Sequence, residues 1–111
     1  MKIPSADRAF VDPAKLREYA LSPFHPKGRH KAKVFGSCLG LTEYDAELLA
    51  DALLSAVQDS DQAVRQVIDE NGERYMLDFE LEGPTGKRAI RSAWIIRSGE
   101  DFPRLTTCYV L

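Results

Sequence analysis

The feature that most constrains this chain is a change of hydrophobic period near residue 60. Before it, apolar residues recur at helical spacing. After it, they alternate. Leu48, Leu49, Ala52, Leu53, Ala56 and Val57 form one broad stripe when wound as a helix. Tyr75, Leu77, Phe79 and Leu81 alternate with Met76, Asp78, Glu80 and Glu82, the pattern of a half-buried strand. Helices therefore come first and an antiparallel sheet last. The expected class is α+β, with about three N-terminal helices packed on a C-terminal three- to four-stranded meander.

Turn and cap residues place the boundaries. Residues 1–12 read as an extended lead-in, with Pro4 disfavouring helix before it. Asp12-Pro13 is a helix start, N-cap followed by proline at the first helical position, and the helix is expected over Pro13 to Leu21. Ser22-Pro23 stops it. Phe24 to Gly28 suits a type I turn, and a second helix is expected from Arg29 to Leu39, with Gly40 as its stop. Thr42 caps a third helix, Glu43 to Gln58, with Asp45 at capping-box spacing. Strands are expected over Ala63–Asp69, along the Tyr75–Glu82 alternation, over Arg88–Arg97 and over Leu105–Leu111. Asn71-Gly72, Gly83–Gly86 and Ser98–Pro103 read as the turns between them.

With 111 residues the chain fits a single α+β domain spanning 1–111, large enough for one modest core. Cys38 and Cys108 stand far apart among apolar residues, without metal-ligand spacing, and read as buried free thiols. No cofactor or metal is implied. No stretch approaches the ~20 apolar residues of a membrane span, and the first residues lack the apolar core of a signal peptide, so a cytoplasmic protein is expected.

The formal net charge is −2, which excludes a generally basic nucleic-acid binder and makes any electrostatic footprint local. The footprint is the run His25–Lys33, which holds four fixed cations, no acid and both histidines of the chain. The next helix does the opposite, with Glu43, Asp45, Glu47, Asp51, Asp59 and Asp61 and no Lys or Arg among them. A solvated turn would explain such a run. Its position at a helix N-terminus argues for more, because Lys27, Arg29, Lys31 and Lys33 there oppose the helix dipole unless an anion compensates. Lys27, Arg29 and Lys33 are therefore candidate anion-binding residues. His25, His30 and Lys31 are candidates for acid–base or charge-stabilising roles.

A second cluster lies on the expected sheet. Arg91 stands mid-strand. Either it pairs with Asp78 or Glu80 on the neighbouring strand, or it serves as a phosphate-binding fork. Thr106, Thr107 and Tyr109 follow on the last strand. Thr107 is the candidate to orient a phosphate beside Arg91.

The segments SPFHPKGRHKAKVFGSCLGLT and RSAWIIRSGEDFPRLTTCYVL resemble a bacterial family of unknown function, marked by His-Pro-x-Gly-x-x-Lys before a helix and a terminal Leu-x-Thr-x-Tyr strand. The likeness covers nearly the whole chain. A more distant resemblance is to the metal-independent nuclease superfold of barnase, EndoU, colicin D and RelE. That resemblance implies a toxin-type ribonuclease, with His25 or His30, Lys31, Arg91 and Thr107 as its site. It further implies RNA as substrate and a small acidic antitoxin-like protein as partner. The alternative is a noncatalytic interaction module or accessory protein that binds a protein or nucleic acid. Self-association through the C-terminal strand is a further expectation if that strand lies at the sheet edge.

Overall fold

The computed structural model describes residues 1–111. It is an α+β fold with the helices first. Helix α1 (Pro13–Lys15) continues into a π-helical turn, Leu16–Ala20. Helix α2 is Arg29–Leu39 and helix α3 is Ala46–Asp59, entered through a 3-10 turn, Glu43–Asp45. Strands β1 (Val64–Asp69), β2 (Gly72–Gly83), β3 (Gly86–Arg97) and β4 (Arg104–Val110) form one antiparallel meander in the order β1-β2-β3-β4. No helix is long and apolar enough to cross a membrane.

The caps work as their chemistry dictates. The Asp12 carboxylate accepts from the Ala14 N–H at 3.0 Å. The Thr42–Asp45 capping box is formed from both sides, Tyr44 N–H to the Thr42 hydroxyl at 3.2 Å and Thr42 N–H to the Asp45 carboxylate at 2.8 Å. Gly40 closes α2 at φ 72, with bonds back to Gly36 and Phe35.

Helices α2 and α3 cover one face of the sheet. Phe35, Leu39, Leu49, Leu53 and Val57 meet Tyr75, Leu77, Ile90, Trp94 and Cys108 in a single core. The one buried polar side chain on this part of the sheet is satisfied. The Ser92 hydroxyl donates to the Leu77 carbonyl at 2.7 Å and accepts from the Trp94 indole N–H at 2.9 Å.

Four details depart from the sequence reading. The lead-in is not wholly extended, since Ala6–Arg8 forms a 3-10 turn and Phe10 bridges to Arg104. The first helix is α only for its opening turn, because Leu21 N–H reaches the Leu16 carbonyl five residues back. The hairpin at Asn71-Gly72 exists, yet Asp69 pairs with Gly72, so the loop is Glu70-Asn71. Gly72 answers a different need: at φ 142, a Cβ there would lie 2.1 Å from the Ile96 carbonyl oxygen on β3. Finally, Cys108 is buried and free, but Cys38 is only half-buried on α2.

β4 is an edge strand, as a terminal strand of a meander must be. Its start is not open. Phe10 N–H donates to the Pro103 carbonyl at 2.9 Å and Leu105 N–H donates to the Phe10 carbonyl at 3.0 Å.

Candidate functional site

The basic segment meets the sheet at the β4 edge. The meeting depends on Gly28, the residue before α2. A Cβ at Gly28 would stand 2.1 Å from the Tyr19 carbonyl oxygen, so only glycine lets the helix start lie against the π-helical turn. That turn carries Tyr19, and such irregularities commonly aim side chains at sites.

His25 caps the entry to α2. Its Nδ1 accepts from the backbone N–H groups of Lys27 at 3.0 Å and Gly28 at 2.9 Å, and its carbonyl accepts from Arg29 at 3.0 Å. The ring proton therefore sits on Nε2, which leaves His25 a hydrogen-bond donor with no free lone pair. Its ring meets Tyr19 edge-on, centroids 4.6 Å apart. Two of the backbone donors that the sequence offers to an anion are thus held by the protein itself.

Lys31 lies one turn further along. Its Nζ donates to the Thr107 hydroxyl at 2.9 Å and sits 5.1 Å from the Tyr19 ring and 5.5 Å from the Tyr109 ring. Thr107 stands beside a β-bulge. The β3–β4 register steps from Ala93↔Thr107 to Trp94↔Leu105, which makes Thr106 the extra residue. The Thr106 hydroxyl is tied to the Ala93 carbonyl at 3.0 Å. Behind Thr107, burial pushes the Cys108 thiol up to about 12, with the Lys31 charge pulling the other way.

The Lys31–Thr107 contact stands between two depressions. One is a cleft of about 550 Å³ along β4, whose walls include Tyr19, His25, Thr107, Phe10, Arg97 and Arg104. The other, about 310 Å³, is lined by His30, Lys31, Val34, Tyr109 and Val110. The two histidines consequently flank Lys31 on separate sides. His25, Lys31 and Thr107 come together, and His30 joins them through Lys31.

Arg91 is placed differently. Its Nε and Nη2 bind both oxygens of Asp78 at 2.9 Å, so the cross-strand ion pair is the arrangement that forms. This pairing raises the Arg91 guanidinium above the usual arginine range and holds the Asp78 carboxyl below the usual carboxylate range. Arg91 pairs in register with Tyr109, which connects it to Lys31 through that ring. Lys27, Arg29 and Lys33 form no ion pair. Arg29 and Lys33 line a third groove, of about 670 Å³, together with Tyr44. Sequence reasoning missed Tyr19, which reads as a core residue of a regular helix, and the cleft residues Phe10, Arg97 and Arg104. Tyr109 reads as part of the last-strand cluster beside Arg91, without its contact to Lys31.

Comparison with known proteins first places the architecture. One chain of a contact-dependent growth inhibition toxin–immunity protein complex from Klebsiella pneumoniae 342 superposes with a TM-score of 0.72. The match covers 91% of this chain and 98% of that one at 18% identity, a likeness of fold. Residues 2–111 match the model of the domain of unknown function DUF6883, and the chain belongs to that family. No curated protein matches.

Proposed function

We propose that the protein is a toxin-type endoribonuclease that cleaves RNA through the substrate's own 2′-hydroxyl, without recruiting a metal. The observation that carries this reading is the 2.9 Å bond from Lys31 to Thr107, which joins the basic segment to the last strand at the lip of a cleft. The fold shared with a chain of a toxin–immunity complex supports it.

In this reaction the 2′-oxygen attacks phosphorus, the bond to the 5′-oxygen breaks, and a 2′,3′-cyclic phosphate and a 5′-hydroxyl result. One group removes the 2′-proton and another protonates the leaving oxygen. Lys31 stabilises the added negative charge, Thr107 orients a phosphate oxygen, and His25 donates Nε2–H to another. His30, whose ring makes no hydrogen bond in the fold, removes the 2′-proton, and a water molecule protonates the leaving 5′-oxygen. Arg91 acts through Tyr109, which it helps to fix. Lys27, Arg29 and Lys33 attract the polyanion. A specific protein inhibitor, acidic enough to meet this segment, is the expected partner, and the cytoplasm of a cell is where RNA would be met.

The test is incubation with total RNA in excess chelator. Wild type cleaves and leaves cyclic phosphate ends. Lys31→Met, which keeps the stem and removes the charge, lowers the rate by about 10²–10³-fold. Absence of cleavage by wild type refutes the reading.

A second reading, a noncatalytic interaction module, is favoured by the closed Arg91–Asp78 pair, which leaves that fork little to offer a phosphate. Binding measured at two salt concentrations separates its partners, since phosphate contacts weaken steeply with salt and protein contacts far less.

A further inference from the structure

We infer that the Phe10 end of the cleft along β4 is a subsite for one unpaired nucleobase, stacked on the Phe10 ring. This rests on the ribonuclease reading and deepens it, making single-stranded RNA the substrate at this point.

Phe10 is an aromatic ring held in the open. It is 46% exposed, yet its backbone is clasped by Pro103, just before β4, at 2.9 Å and by Leu105 of β4 at 3.0 Å. Its ring is backed by the Arg104 guanidinium 5.3 Å away, which lies 4.8 Å from the Phe102 ring in turn. Arg104 is fixed by a two-pronged bond to Glu100, at 2.9 and 2.8 Å. Phe102, Arg104 and Phe10 therefore form a supported platform. A side chain exposed only for want of space in the core would not need such a mount. Stacking on a ring already fixed avoids the ordering cost that a mobile one would incur.

The charges of the cleft say what sits there. Asp12 and Glu18 line it with Lys15 and Arg97, over an apolar floor that includes Leu16, Ile95 and Leu105. With Arg104 tied to Glu100, a phosphate finds no surplus of positive charge here, because Lys15 and Arg97 are offset by the two carboxylates. The carboxylates suit the exocyclic amino group of a base, and the apolar floor suits its flat body. The depression on the far side of Lys31 has no carboxylate among its lining residues. Phosphate thus belongs at the Lys31–Thr107 lip and the base in the cleft beside it. At about 550 Å³ the cleft is of a size that encloses a small ligand. A base in a duplex has both faces covered by its neighbours, so stacking on Phe10 selects unpaired RNA.

The probe is a short labelled single-stranded RNA with 2′-O-methyl riboses, which the 2′-hydroxyl route cannot cut. Phe10→Leu keeps apolar contact with Arg104 and removes the ring, while Phe10→Trp keeps a ring. Phe10→Leu is expected to bind about 5- to 150-fold more weakly and Phe10→Trp as well as wild type or better, the range found for base–aromatic stacking. Unchanged thermal unfolding of Phe10→Leu confirms that the platform alone was altered. Phe10→Leu binding like wild type, a duplex competing as well as the single strand, or no binding of the probe by wild type overturns the subsite. Cleavage of total RNA that is indifferent to Phe10→Leu also overturns it and leaves the ribonuclease reading standing. Phe10-dependent binding without any cleavage keeps the subsite and removes the ribonuclease.

Discussion

The two edges of the sheet are built in opposite ways. At the β4 edge the π-helical turn, the start of α2 and Phe10 crowd against the strand, and Lys31, Thr107, Tyr19 and His25 hold one another at fixed distances. At the β1 edge all six residues from Val64 to Asp69 are exposed, and pairing with β2 slips between Arg65 and Ile68. Both edges carry cations and β-branched residues. Only the first has a helical layer behind it. A side chain acquires a defined chemical role when elements from two layers converge on it, and β4 is where they converge.

Four experiments press on this difference. The largest expected effect tests whether the β3–β4 side carries the fold. Trp94 is buried between Tyr75 and Leu105, its register partners, with its N–H on Ser92. Trp94→Ala should cost ~3–5 kcal/mol in denaturant unfolding. A loss below ~1 kcal/mol would move the centre of stability elsewhere. Next comes Gly28→Ala. Its methyl would meet the backbone of Tyr19, which cannot swing aside as a side chain can. A loss of ~1–3 kcal/mol is expected, with the contact between Lys31 and Thr107 displaced. The same variant should lose cleavage well beyond what its stability explains.

Alkali offers a third test. The folded state keeps the Cys108 proton that an unfolded chain releases near the ordinary value of 9.0, and burial carries the folded value to about 12. The stability this supplies is complete below the unfolded value and is lost as the pH rises toward the folded one. Thermal scans should show a decline between these limits that is shallower in Cys108→Ala, where Tyr75, whose hydroxyl burial also pushes up, still contributes. An equal decline in the variant would place the sensitive group elsewhere.

The sequence carried much of this fold and less of the site. The break in period near residue 60, the Asp12 and Thr42 caps and the Gly40 stop are local signals, and the elements follow them closely. Helix α2 begins and ends at the residues expected. What was not legible needed two distant segments at once. The bulge at Thr106 appears only when β4 is laid beside β3. The cap formed by His25 is local, yet histidine is an unusual cap residue and gave no signal. The π-helical turn that presents Tyr19 looks like ordinary helix in a list of letters. Arg91 shows the same boundary from the other side. Both its possible roles were readable, and only the register with Asp78 decides which geometry forms.

The smallest effect is expected at the bare edge, and it sharpens the contrast most directly. Ile68 is 57% exposed although it is β-branched and lies in a strand. It pairs with Glu73 at the end of the hairpin, and its neighbour Asp69 makes only a long 3.8 Å ion pair with Arg74. Truncating Ile68 to Thr keeps the branched shape and β-propensity and removes little buried area. Ile68→Thr should therefore change unfolding stability by no more than ~0.5 kcal/mol and leave RNA cleavage untouched. An exposed apolar edge strand also favours strand addition between chains, so the same variant should be the less prone to aggregate. A stability loss at Ile68 comparable with that at Trp94 would mean that β1 is packed against another surface in solution, such as a second copy of the chain, and the two edges would then no longer differ in kind.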